Sequence, residues 1–169
     1  MYKRQLLIKS KLPRELFILS RVLTAFVNFL LGCIPFAAVL AWYRAAVTIY
    51  YFMIPVVLLL LLIFTTGMSY LVSIWFVFQR DARNIYSNFI FILRFFVAMF
   101  YSVDWVADGV KWVIQHNPLY AYIYVMRQCV VYGRMPEGMY ITQMFAWAIG
   151  MFGFGLSLIH ISEPTRRSY

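Results

Sequence analysis

Charged residues punctuate this chain rather than cover it, and the stretches between them are apolar over helical lengths. No position from Ala45 to Phe78 is charged. As a helix rising about 1.5 Å per residue, that run would reach roughly 50 Å, more than the ~30 Å hydrocarbon core of a bilayer. The pattern predicts an all-α integral membrane protein, a polytopic helical bundle. A first span is expected over Val22–Tyr43, apolar apart from Thr24 and Asn28 and kinked at Pro35, which neighbouring helices can tolerate. A second lies within Tyr50–Phe78, with Tyr50 and Tyr51 at one interface, Trp75 near the other and Pro55 in the first turn. Asn88–Tyr101 is a third apolar segment, interrupted by Arg94, and a fourth runs from Tyr140 to Gly155. That last stretch reaches only about 24 Å, short of a bilayer core.

The charges between these segments give an orientation. Lys9, Lys11, Arg14 and Arg21 precede the first span, Arg80 and Arg83 follow the second, and Arg44 alone lies between them. Positive-inside bias then puts the leading segment and the Gln79–Asn84 loop in the cytoplasm and Asp104–Gly138 outside. Lys111, Arg127 and Arg134 run against that bias. The outer segment is too apolar for a solvated linker at Trp112, Leu119, Tyr120, Ile123, Tyr124 and Cys129–Tyr132, yet no piece is free enough of charge to span. Asn117-Pro118 reads as a helix start, an Asn cap followed by Pro at the first position, with the helix running to about Tyr132 and ending at Gly133. Such a helix is expected to dip into the outer leaflet as a re-entrant element, packed on protein or lining a cavity.

Composition narrows the classes. Charged residues make up 12% of the chain, half the level of ordinary soluble domains, so the apolar runs are not a local anomaly. The net charge of +9 does not indicate nucleic acid, because the basic residues are scattered among apolar spans. Cys33 and Cys129 have no metal-ligand or disulfide spacing and read as small apolar residues. No phosphate-binding loop, nucleophile–base pair or paired carboxylates are found, and His116 and His160 stand apart, so neither ATP hydrolysis nor cofactor or metal chemistry is expected in this chain.

Both ends look foreign. Leu156–Arg166, LSLIHISEPTR, resembles the in-frame translation of a transposase-type sequencing adapter, and Met1–Gln5, MYKRQ, resembles the inner end of that adapter read outward. On this reading residues 1–5 and 156–169 are non-native, and 6–155 is an internal piece of a longer gene. The alternative is an ordinary polar tail after a last helix.

The order of short motifs carries a further resemblance. Lys9-x-Lys11-Leu12-Pro13-Arg14-Glu15 stands before a span, Gln79-Arg80-Asp81 closes the next, and Asn117-Pro118-Leu119 is followed by Met126-Arg127 and Gly133-Arg134-Met135-Pro136. The series resembles the permease subunits of type-2 ABC exporters, in the branch that exports O-antigen, capsule and teichoic acid. Members have six spans, so the resemblance implies that the first two are missing from Leu6–Gly155. It also implies a homodimer in the bacterial inner membrane, a separate ATP-binding subunit, and a glycan substrate. Lys9, Lys11, Pro13, Arg14 and Glu15, together with Arg80 and Asp81, would be the ATPase-coupling elements. Asn117, Pro118, Arg127 and Gly133 would belong to the outer gate. Each has a plainer reading: a positive anchor, a solvated helix end, a helix cap. Where members commonly carry a Ser-Pro turn, this chain reads Val97-Ala98-Met99-Phe100-Tyr101, so the gate entrance is expected to be built differently.

Arg94 faces a translocation path, pairs with an acid or snorkels to an interface, since an unpaired charge in an apolar helix costs about 2.5–3.5 kcal/mol. Phe95, Phe96, Phe100, Tyr101, Tyr120, Tyr122 and Tyr124 either offer faces along which sugar rings slide or fill lipid-facing positions. Three rival functions stay open: the same fold exporting a drug or lipid, a membrane-embedded glycan-lipid enzyme using Asp104 and Asp108, and an inert scaffold.

Overall fold

The computed structural model describes residues 14–43, 48–79 and 81–162, with the side chains of Arg14, Asp104 and Ser162 left aside. Three long helices carry the architecture: α1 (Arg14–Trp42), α2 (Ile54–Phe78) and α6 (Gly138–Ser162). Each is long and apolar enough to cross a bilayer, and they are the three such helices among the described residues. The chain is an all-α membrane protein.

α2 starts where expected, with Pro55 in its first turn after a 3-10 turn over Ile49–Met53. The pyrrolidine lacks an N–H, and a first-turn position has no intrahelical acceptor to lose. α1 begins earlier than the apolar pattern suggests and continues through Pro35. α1 and α2 form an antiparallel pair, with Glu15 within electrostatic reach of Tyr70 in the second half of α2. Few residues of α1 are buried, and Leu23, Val27, Leu31, Ile34 and Val39 all face outward.

α2 and α6 are the tightest pair, and they run parallel. Leu60, Gly67 and Tyr70 of α2 meet Met144, Met151 and Phe152 of α6 in the same order. Glycine permits the approach. A Cβ on Gly67 would stand 2.6 Å from the backbone of Met151 and Phe152. In lipid, where apolar burial against another helix gains little over the acyl chains, such close backbone packing is a main source of association.

The third apolar segment differs from expectation. α3 covers Ala82–Phe96, 15 residues and about 22 Å, which is too short to cross a bilayer core. It starts six residues before Asn88 because Arg83–Ser87, a mixed polar and apolar stretch, is helix-compatible. It stops at Phe96 because Val97 and Ala98 turn the chain, Ala98 with φ +49°, fully buried. Between α3 and α6 the chain forms a 3-10 turn (Val103–Trp105), α4 (Asp108–Gln115), α5 (Pro118–Arg127) and a π-helical turn (Gln128–Tyr132). α6 likewise runs past Gly155, to Ser162, because Leu156–Ser162 is apolar enough to continue the helix.

α5 enters the bundle between α2 and α6. The buried Tyr122 sits with its hydroxyl 3.2 Å from the Met144 carbonyl and 3.4 Å from that of Leu60, and its ring packs on Phe64, centroids 5.7 Å apart. Leu60 and Met144 lie six residues, about 9 Å, inside their helices, and Phe64 about 15 Å inside α2. The short helices therefore occupy the end of the bundle where α1 joins α2.

Candidate functional site

Asn117 builds the start of α5 as its position suggests. Its side-chain carbonyl accepts from the Leu119 N–H at 3.0 Å, and Pro118 follows at the first helical position. Its Nδ2 also donates to the carbonyl of Phe96 at 3.3 Å, tying α5 to the end of α3. Ten residues on, Arg127 donates from Nη2 to the carbonyl of Ala98 at 3.2 Å. These two side chains hold the turn after α3 against α5.

The helix then loosens into the π turn, which inserts a residue relative to α-helical register, and ends at Gly133 with φ +57°. That left-handed conformation suits glycine, and space is tight as well: a Cβ would stand 2.9 Å from Oγ1 of Thr48, which would have to shift. Tyr51 donates from its hydroxyl to the Val130 carbonyl at 3.3 Å. The α1–α2 connection thus braces the π turn from the side.

Beside this turn opens a cavity of about 400 Å³, in the size range of small-molecule sites. Lys111 and Gln115 reach it from α4, Tyr120, Tyr124 and Arg127 from α5, Gln128 and Tyr132 from the π turn, Arg134 and Glu137 from the approach to α6, and Tyr140 from its first turn. Ser102 and Val103 complete the lining. Tyr120, Tyr124 and Tyr140 cluster, the rings of Tyr124 and Tyr140 only 4.1 Å apart. The Tyr124 hydroxyl donates to Oε1 of Glu137 at 3.3 Å. Burial first, and then the Glu137 carboxylate, push the Tyr124 phenol up, so it remains a proton donor at neutral pH. Among the described residues no group of acids, histidines or cysteines is arranged to hold a metal.

The residues singled out from sequence separate into distinct places. Asn117, Pro118, Arg127 and Gly133 belong to one connected unit, with Tyr120 and Tyr124 beside them at the cavity. Tyr101 is half-buried, its hydroxyl donating to the Phe95 carbonyl at 2.6 Å. Arg94 and Phe96 are exposed in the last turn of α3. There a cation interacts favourably with the negative end of the helix dipole, a milder setting than mid-helix. Glu15, in the first turn of α1, and the exposed Asp81, before α3, lie at the opposite end of the bundle from the cavity. Lys9, Lys11, Pro13, Arg80 and the Arg14 side chain lie outside the described residues. Sequence reasoning did not assemble Lys111, Gln115, Gln128, Tyr132, Arg134, Glu137 and Tyr140 into a site. One signal was present, since Lys111, Arg127 and Arg134 are the cations that contradict the positive-inside bias.

The chain is 26% identical over 157 residues to an O-antigen export system permease protein RfbA of Klebsiella pneumoniae, an alignment covering 92% of this chain and 60% of the relative. A second Klebsiella pneumoniae protein of that name is 26% identical over 152 residues, covering 87% of this chain and 59% of its own length. The chain thus spans about 60% of the length of the curated relatives it matches. No solved structure matches it. Residues 5–131, from before α1 into the π turn, match the ABC-2 type transporter family, and the chain belongs to that family.

Proposed function

We propose that this chain is part of the membrane-spanning permease of an ATP-driven exporter in the bacterial inner membrane, forming the path for a polysaccharide or lipid-linked glycan. The observation that carries the reading is the family match over residues 5–131, a region that includes both the long helices α1 and α2 and the short helices at one end. The O-antigen export relatives point to glycan rather than a drug or lipid as cargo. The polar, tyrosine-rich cavity agrees with that choice, since an aliphatic lining would suit a lipid better.

In this reading the permease dimerises and a separate ATP-binding subunit supplies the work. The subunit docks at the end of the bundle that carries Glu15 and Asp81, where Lys9, Lys11, Pro13, Arg14 and Arg80 also fall in sequence. A push there is passed along α1 and α2 to the opposite end. Asn117, Pro118, Arg127 and Gly133 hold the short helices as an outer gate, and their displacement opens the exit. Positive-inside bias orients the bundle with the cavity outside.

The test is reconstitution of the whole permease with a cognate ATP-binding subunit. Glycan addition is expected to raise ATPase activity several-fold over the subunit alone, and Asp81→Ala to reduce that stimulation. An ATPase rate unchanged by the permease would reject the exporter reading.

A further inference from the structure

The last carbonyls of an α-helix have no partner within it, and those at the end of α3 are met by side chains that arrive from outside the helix. The Phe95 carbonyl accepts from the Tyr101 hydroxyl at 2.6 Å, the Phe96 carbonyl from Nδ2 of Asn117 at 3.3 Å, and the Ala98 carbonyl from Nη2 of Arg127 at 3.2 Å. Val97 and Ala98 are buried, so a carbonyl that loses its donor in place finds no water to replace it. Ala98 carries the turn in the left-handed region, φ +49°, which alanine seldom adopts and which lasts only where its surroundings fix it. Elsewhere α3 has little hold on the bundle. Ala82 is buried at its start, and Tyr86 meets Phe76 edge to face with centroids 5.9 Å apart. Ile85, Phe89, Phe91 and Ile92, along its length, are exposed.

We infer that the turn after α3 is a strained, two-state latch. Asn117 and Arg127, one at each end of α5, close it on the carbonyls of Phe96 and Ala98. Loss of either donor lets Ala98 leave the left-handed region and frees the end of α3. The Tyr101 bond is local and travels with the turn. Closed, the latch fixes α3 to both ends of α5; open, α3 retains its hold at Ala82 and Tyr86 and swings about it. Arg127 also lines the cavity, so opening the latch shifts a wall of that cavity together with the end of α3. That this movement serves export rests on the exporter reading; the latch itself is a property of the chain.

The test uses the full chain in phosphatidylcholine nanodiscs, with hydrogen exchange read at the Val97 and Ala98 amides and, for reference, along α2 and α6. Two variants each remove one donor: Arg127→Met, and Asn117→Asp, which keeps the acceptor for the Leu119 N–H. Each is expected to speed exchange at Val97 and Ala98 about tenfold or more while α2 and α6 stay within about twofold of wild type. The double variant is expected to stay within about twofold of the faster single one, because the turn is already free. Effects that multiply in the double variant would make the two bonds independent anchors and overturn the latch. Unchanged exchange in Arg127→Met would show the turn held by packing alone, and would overturn it as well. Acceleration spread equally over α2 and α6, or a variant that fails to fold, would make Arg127 a strut of the whole bundle, again overturning the latch. No ATP-binding subunit takes part in these measurements, so their failure is distinct from failure of the ATPase test of the exporter reading.

Discussion

Gly67 of α2 and Gly155 of α6 meet backbone to backbone: a Cβ built on Gly155 would stand 2.6 Å from the carbonyl oxygen of Gly67. Gly67→Ala has the same problem in reverse, against the rigid backbone of Met151 and Phe152. The two helices must separate, at a cost of about 1–3 kcal/mol. Gly150→Ala, with nothing within 4 Å of its Cβ, should be neutral or stabilising through better helix propensity. Thermal melts in detergent should therefore fall for Gly67→Ala and hold or rise for Gly150→Ala.

Tyr122→Phe keeps the ring against Phe64 and removes the hydroxyl shared between the carbonyls of Leu60 and Met144. The expected loss is about 1 kcal/mol, or about 2–4 °C in melting temperature for a chain of this size. Protease cleavage between α3 and α6 should accelerate in parallel, because this hydroxyl joins α5 to both of its neighbours.

Asn117 has two separable roles. Asn117→Ala removes the cap and the bond to Phe96, with an expected cost of about 1 kcal/mol or more. Asn117→Asp retains the acceptor for the Leu119 N–H and loses only the Nδ2 donor. Amide hydrogen exchange should show Asp protecting the first turn of α5 like wild type, while the turn after α3 exchanges faster in both variants.

Gly133→Ala meets two obstacles, the left-handed backbone and Oγ1 of Thr48. Adding Thr48→Ala relieves the contact and leaves the backbone strain. The double variant is expected to recover part of the lost melting temperature. Full recovery would show that φ at this position carries no cost.

Gln143 on α6 places its Oε1 in a buried position without a hydrogen-bond partner among the described residues. A buried acceptor left unpaired costs about 1–3 kcal/mol, so Gln143→Leu is expected to raise the melting temperature. A lower melting temperature would show that the amide has a partner in the assembled transporter.

What the sequence made legible was local chemistry. Asn117, Pro118 and Gly133 mark the start and end of a helix through their own side chains and backbone freedom, and those marks are where the structure has them. Pro55 marks the first turn of α2 in the same way. The end of α3 was not legible. It depends on a buried, left-handed Ala98 whose carbonyl is held by Arg127, 29 positions away. The cavity escaped for a related reason: Lys111 and Arg134 belong to separate elements and share an opening only after α4, α5 and the π turn have packed. Their charge was visible as an exception to a rule before it was visible as a site.

The glycine contact between α2 and α6 also bears on how the protein is made. Gly67 and Gly155 are 88 positions apart. At about 5–20 residues per second, ribosomal synthesis separates their appearance by roughly 4–18 s. During that interval α2 can already be inserted and paired with α1, yet its closest neighbour does not exist. A glycine there leaves a smooth notch that acyl chains can fill and later vacate at little cost. The residue that allows the tightest contact in the finished bundle is thus also one that lets α2 wait in the lipid for α6 to arrive.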